Sequence, residues 1–354
     1  MKGDSMNAKR IIIVTWLALA LSGSTLSFAE VRKEYYPSGQ LKTEGNAVND
    51  KLEGIVKVYY ESGELKEEGN FANGKLEGLK KFYYENGNLE IEGNYKNGKV
   101  EGLQKEYYPS GQLKIEGNVV NDKLEGIAKQ YYESGQLKEE GNFASGKVEG
   151  LVKRYYENGN ISYEQNFKNN KLEGIVKEYY ESGELKEESN FANGKREGLQ
   201  KGHYENGNLK IEENYKNGKV EGLKNGYYPN GQLKIEGNAV NNELEGIVKE
   251  YYESGQLKEE GNFAKGKLEG FVKGYYENGN ISYEQNFKNG KLEGIVKEYY
   301  ESRELKLELS FIKGKLEGIS KGYYESGQLK SEQNYKNDEV ISRKDYDESG
   351  KLIN

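Results

Sequence analysis

Cysteine is absent from this chain, and it has only one histidine, one tryptophan, two methionines and three prolines. The missing cysteine excludes disulfides, thiolate-bound zinc, a thiol nucleophile and the lipidated cysteine of a lipoprotein. A single histidine excludes a histidine-rich metal site. Apolar residues reach 34% and charged residues 31% of the 354 positions, too little apolar surface for thick stacked layers. What is abundant is glycine, at 46, and tyrosine, at 31. The formal net charge of −7 makes nucleic acid and anionic membrane poor partners, since both attract basic faces.

Residues 1–29 read as an address. Lys2, Lys9 and Arg10 precede an apolar run from Ile11 to Leu21, and Ser27 and Ala29 fit the small-x-small rule for signal peptidase. A secretory signal peptide cleaved after Ala29 is expected, and with it export to the periplasm, cell surface or medium. The alternative is an uncleaved anchor, because Ile11–Ala29 nearly reaches the roughly 20 residues a membrane span needs. Cleavage would remove Trp16, the lone tryptophan.

The rest is a repeat. Tyr35-Tyr36 recurs at Tyr59-Tyr60, Tyr83-Tyr84 and onward every 24 residues to Tyr323-Tyr324, with one pair altered to His203-Tyr204. Thirteen repeats over 30–345 and a truncated capping repeat at 346–354 leave no room for a catalytic domain. A longer period lies above the short one, since ENGNISYEQNFKN at 157 returns at 277.

Each repeat holds two turn signals, such as Asn86-Gly87 and Asn97-Gly98, between strand-forming segments. Asn-Gly favours a two-residue type I′ turn, which requires positive φ at both positions. The last position of the second turn is always Gly, Asn or Asp, the residues most tolerant of a left-handed backbone. Ten residues of strand, a turn, ten more and another turn complete the 24-residue period. The fold class predicted is all-β, an elongated single-sheet solenoid of tandem β-hairpins.

A two-residue turn at Ser62-Gly63 pairs Tyr60 with Leu65, Lys57 with Glu68 and Gly54 with Phe71. Lysine facing glutamate across the ladder specifies register. Pairing across Asn73-Gly74 matches Phe71 with Leu76 but sets Lys66 against Lys81, an unfavourable contact that marks this connection as looser or bulged. Alternation puts Leu65, Gly69, Phe71, Leu76, Gly78 and Tyr84 on one face, and Lys66, Glu68, Asn70, Tyr59 and Ile55 on the other. The glycine of Leu-Glu-Gly, such as Gly54, marks a bend or a close approach opposite the Phe71 ring.

The recurring Tyr-Tyr-Glu-Asn-Gly-Asn-Leu-Lys followed by Asn-Tyr-Lys-Asn-Gly-Lys-Leu-Glu-Gly resembles the bacterial variant of the MORN (membrane occupation and recognition nexus) repeat, over about Val31 to Asn354. The resemblance implies stacked β-hairpins in a twisted, groove-bearing sheet that binds protein partners. The family's tryptophan is replaced by Phe71, Tyr95 or Ala47, and its Arg-His-Gly by Leu-Glu-Gly, which argues against phospholipid binding. The variant family is often labelled a YwqK-type antitoxin, which implies a toxin-neutralising role as the second reading.

No acid/base pair, nucleophile constellation, phosphate loop or metal cluster stands out, so neither an enzyme nor a cofactor is expected. The candidate ligand groove is the tyrosine row Tyr36, Tyr60, Tyr84, Tyr108, Tyr132, Tyr156, Tyr180, Tyr204, Tyr228, Tyr252, Tyr276, Tyr300 and Tyr324. These rings either cover a single-layer sheet or offer a stacking surface, and one groove can do both. The function expected is an exported, non-enzymatic binding or adhesion scaffold in host-cell contact. Its partner would be a host or bacterial surface protein, with a glycan as a further ligand class. In the toxin-neutralising reading the partner is a toxin. Arg196 in the Leu76 position and His203 mark an expected weak point where the array opens locally.

Overall fold

The computed structural model describes residues 30–353, so the signal-peptide assignment at 1–29 and the terminal Asn354 lie outside the described residues. The chain divides into two units, one ending at Gly183 and one beginning at Glu184. Both are all-β.

In the first unit, strands run from Glu30–Tyr35 to Lys171–Tyr179, each antiparallel to the next in sequence. A repeat is a strand of nine residues such as Lys75–Tyr83, a loop, a strand of eight such as Leu89–Lys96, and a two-residue turn. The second unit continues the pattern from Leu185–Ala192 to Glu339–Asp345. Three of its long strands break after two residues, at Lys195–Arg196, Lys291–Leu292 and Lys315–Leu316. Since two of the three breaks carry the usual leucine, the interruption does not come from Arg196.

The second turn is the expected type I′. Asn73 and Gly74 have φ of 52° and 79°, and every repeat shows positive φ at both positions. The first turn differs from expectation. Gly63 has φ 97° but Ser62 is not left-handed; the Gly63 amide donates to the Tyr60 carbonyl and the Tyr60 amide to the Glu64 carbonyl. This is a three-residue loop, a type I turn followed by a left-handed glycine, and it extrudes one residue. As a result Tyr59, not Tyr60, lies opposite Leu65, while Lys57 with Glu68 and Gly54 with Phe71 pair as expected. Proline signals this turn: Pro37, Pro109 and Pro229 stand at its first central position, where a type I turn wants φ near −65°.

The suspected clash of Lys66 with Lys81 does not occur. Register shifts by two between the Phe71–Leu76 and Gly69–Lys80 pairs, and the shift brings Lys81 opposite Glu68. The extra residues flank Gly78, whose φ is 84° and whose missing Cβ would meet nothing within 4 Å. The Leu-Glu-Gly glycine therefore serves backbone conformation, and the close approach to a ring is overturned. The last strand supplies a control: Ser342 stands in the glycine's place, does not adopt positive φ, and the shift shrinks to one residue.

Close approach belongs instead to the glycine of Glu-Gly-Asn. A Cβ at Gly117 would lie 2.8 Å from Leu124 Cδ2 and 3.1 Å from Ala128 Cβ. This is the interior face of the sheet, where Val56, Phe71 and Leu76 form a cluster against Leu52 and Tyr95. Burial of one such aliphatic or aromatic side chain contributes roughly 1.5–3 kcal/mol. The shifts also make the charge row continuous, with Lys33, Glu44, Lys57, Glu68, Lys81, Glu92 and Lys105 facing one another in alternation.

At the C-terminus, Tyr346 bridges to Leu352 across a turn capped by Asp347, whose carboxylate accepts from the Ser349 and Lys351 amides. This half-repeat lies against the last strand, as its amide from Ile353 to the Asp345 carbonyl shows.

Candidate functional site

The two tyrosines of each pair have separate jobs. The second is tied to the next repeat: Tyr60 donates its hydroxyl to the Tyr83 carbonyl at 2.8 Å, and Tyr84 to that of Tyr107 at 2.7 Å. In the second unit Tyr228 does the same to Tyr251 and Tyr276 to Tyr299. Rings so anchored keep one orientation from repeat to repeat.

Above many of these rings sits a lysine from the same hairpin. The Lys66 ammonium lies 5.3 Å from the Tyr60 centroid, Lys138 lies 5.4 Å from Tyr132, and Lys210 and Lys234 each lie 5.5 Å from Tyr204 and Tyr228. Such cation–π contacts contribute ~0.5–1 kcal/mol at exposed sites. The loop's extruded residue makes them: Lys66 is the unpaired position between Leu65 and Glu67. What remains for a ligand in the expected tyrosine row is ring surface and an ammonium, since the hydroxyls are bonded within the sheet.

In most pairs between Tyr59 and Tyr299 the first tyrosine bonds backward to glutamate on the opposite face. Tyr83 donates to Glu68 at 2.9 Å, Tyr107 to Glu92 at 2.8 Å and Tyr251 to Glu236 at 2.6 Å. Burial, reinforced by that carboxylate, pushes the Tyr83, Tyr107 and Tyr251 hydroxyls up to about 12. The Tyr59 bond is the largest cause holding Glu44 below the ordinary carboxylate range.

A second set of links was missed by the sequence reading. The glutamate of Leu-Glu-Gly accepts the first amide of the turn that closes its own repeat, from Glu53 with Asn73 at 2.9 Å to Glu317 with Asn337 at 2.9 Å. The glutamate recurring before each bulge glycine was the available signal.

The face opposite the anchored rings is an alternation of ridges and clefts. Ile55, Leu79, Leu103, Ile127, Leu151 and Ile175 protrude with 43–64% exposure in the first unit. Between Ile55 and Leu79 lies a cleft of about 290 Å³ lined by Glu68, Gly69, Asn70 and Lys81. The anchored tyrosines do not line it.

Among the described residues no group of three or more His, Cys, Asp or Glu side chains could hold a metal ion. His203 stands where other repeats carry the first tyrosine, and Tyr204 beside it keeps its 2.8 Å bond to the Tyr227 carbonyl. Arg196 is held rather than stranded. Its guanidinium donates to Glu187 at 2.6 Å and lies 5.9 Å from the Phe191 ring and 5.5 Å from that of Tyr215.

A family model described as MORN repeat variant matches twelve segments, continuous in period from 31–49 to 268–289 and again at 316–337. The chain is similar in structure to a TcdB2-TccC3 crystal structure, at 13% identity over 90% of this chain and 20% of that one, with a TM-score of 0.17. It is similar at the same TM-score to TcdB2-TccC3-Cdc42, with 12% identity over 90% and 22% of the two chains. A Photorhabdus luminescens Tc holotoxin pore gives 12% identity over 89% and 21%, with a TM-score of 0.16. The chain thus spans about a fifth of the length of these structures. No curated protein matches it.

Proposed function

The chain belongs to the MORN repeat variant family, and from that premise we propose that it is a non-enzymatic scaffold that binds an extended protein partner along its anchored tyrosine row. One observation carries the reading. Rings fixed through their hydroxyls recur along the chain, and in many repeats an ammonium sits above the ring, as at Tyr60 with Lys66 and Tyr228 with Lys234, whereas Glu90, Ser162 and Ser282 take the lysine's place beside Tyr84, Tyr156 and Tyr276. Weak, similar contacts repeated within each unit add as avidity, and no single repeat is privileged.

The charged leader sequence supports export, and an exported array suits attachment to a host or bacterial surface protein, with a glycan as a second ligand class for rings and ammonium groups. Fractionation, protease treatment of intact cells and affinity capture on the purified chain test both parts. A surface-exposed chain whose capture weakens step by step as Lys210, Lys234 and Lys330 are changed to glutamate supports the scaffold. One tight toxin captured at full strength by all these variants would favour the toxin-neutralising reading.

A further inference from the structure

The face opposite the anchored tyrosines carries two patterns that alternate strand by strand in step. In the second unit, Leu199, Leu223, Ile247, Phe271, Ile295 and Ile319 protrude with 40–73% exposure, one per repeat. Each stands on a strand that also presents a ladder residue two positions on, such as Lys273 after Phe271 and Lys297 after Ile295. The intervening strand presents Glu284 and the floor of a cleft of about 400 Å³, walled by Phe271 and Ile295 and lined by Lys273, Glu284, Gln285 and Lys297. A protruding side chain thus goes with a cation, except at Leu223 where the ladder residue is Asn225, and a cleft goes with an anion. The first unit repeats the arrangement at Ile55, Leu79, Glu68 and Lys81.

A surface that alternates in shape and charge with one period is complementary to itself after a shift of one strand. Turning a second copy face to face about an axis parallel to the strands reverses strand order but keeps each residue's height along the strand. With the axis midway between a lysine strand and a glutamate strand, every protrusion meets a cleft and every lysine a glutamate. Shape and charge select the same shift independently.

We propose that this chain self-associates through this face, about a two-fold axis between the strands Lys267–Tyr275 and Ile281–Lys288. Phe271 of each copy enters the other copy's Phe271–Ile295 cleft, and Lys273 of each meets Glu284 of the other. The axis falls there because Phe271 is the most exposed of the protruding side chains, at 73%. Sheet twist limits aligned contact to a few strands on either side, so the interface is local and isologous. The inference is independent of the partner assigned to the tyrosine row, which lies on the other face.

Sedimentation equilibrium on the purified chain tests it, with circular dichroism as the folding control. A concentration-dependent monomer–dimer equilibrium is expected, with its dissociation constant raised at least ~10-fold by Phe271→Asp, since one extra charge replaces the central apolar contact. Should Phe271→Asp not fold, Ile295→Asp on the cleft's other wall takes its place. Lys273→Glu should weaken association, and Lys273→Glu combined with Glu284→Lys should recover it, which a merely solubilising charge row would not do. A chain that is monomeric at every concentration, a dimer indifferent to Phe271→Asp, or a charge swap that fails to recover association would overturn the proposal.

Discussion

The stretch from Leu52 to Phe82 and that from Glu187 to Lys224 share one backbone plan and fill it with opposite chemistry. In the first, Val56, Phe71 and Leu76 pack together, and the one interior cation, Lys80, is 2% exposed and ion-paired with Glu67 at 3.0 Å. In the second, Ser189, Gln200 and Glu213 occupy the interior, Arg196 replaces leucine, and Glu213 accepts from Lys224 at 2.7 Å and from Tyr215 at 2.8 Å. Burial and the Glu213 bond raise the Tyr215 hydroxyl, and the nearby Arg196 pulls it partly back. Both regions keep the type I′ turns and the left-handed bulge glycines, and a tyrosine of the following repeat reaches each, from Tyr83 to Glu68 and from Tyr227 to Glu212, although His203 replaces a linking tyrosine within the second. The frame, therefore, is what defines the repeat, and the interior row can be rewritten as long as its charges are paired.

The comparison breaks most sharply when one charge is removed. Glu67→Ile leaves the Lys80 ammonium buried without its carboxylate and should cost ~3–5 kcal/mol. Glu187→Ile should cost below about 1 kcal/mol, because Arg196 is 37% exposed and stacked on rings. Adding Lys80→Val to Glu67→Ile gives the apolar filling seen at Val56 and Ile91 and should return stability to wild type or above it. Urea denaturation with hydrogen exchange localised to each region checks all three variants.

Alkaline pH should erase the difference, because the Tyr–Glu links belong to both regions. A tyrosine whose folded pKa is raised lends stability that is complete below its unfolded value of 10 and is lost as pH climbs through the folded one. With Tyr83, Tyr107 and Tyr251 pushed up to about 12, unfolding should set in between pH 10 and 12. Tyrosinate absorbance and circular dichroism followed together should change in one step. Tyrosinate formation near pH 10 with the fold intact would contradict the assignment.

The bulge glycines sharpen the claim that the frame is common. Gly78 and Gly198 both have positive φ and open space where a Cβ would go. Alanine at either should therefore cost the same ~1–2 kcal/mol of backbone strain, despite the different interiors beside them. Unequal losses in thermal or urea denaturation would show that the filling, too, sets the bulge.

Much of this was legible in the sequence. Period, hairpins, the Asn73-Gly74 turn and the Lys57–Glu68 register follow from turn chemistry and opposite charges. The one-residue extrusion after Leu65 and the two-residue shift around Gly78 did not follow, because a ladder counted from an ideal turn has no place for an extra residue. The Lys66–Lys81 clash was the trace that the second shift left in the sequence. The tyrosine row was legible as a row. The opposite facing of the two tyrosines of a pair was legible by alternation, but which hydroxyl goes to a carbonyl and which to a glutamate was not, because a face does not name a partner in the neighbouring repeat. The ridge-and-cleft face escaped notice because Ile55 and its equivalents read as isolated exceptions on a polar face.

A third region breaks the frame itself, and it gives the smallest expected effect. Arg303 stands in the first turn where other repeats have glycine, with φ of 79°, in the stretch 290–315 that the family model does not match. An L-residue held there costs roughly 1–2 kcal/mol. Against this, Arg303 donates to Asn280 at 2.9 Å in an exposed position, and glycine would add unfolded-state freedom worth ~0.4–1 kcal/mol. Arg303→Gly should therefore stabilise the chain by about 0.5 kcal/mol, read as a small rise in the urea midpoint at unchanged slope. If stability falls instead, the Arg303–Asn280 bond outweighs the strain, and a frame position, like the interior row, can be rewritten when its new side chain finds a partner.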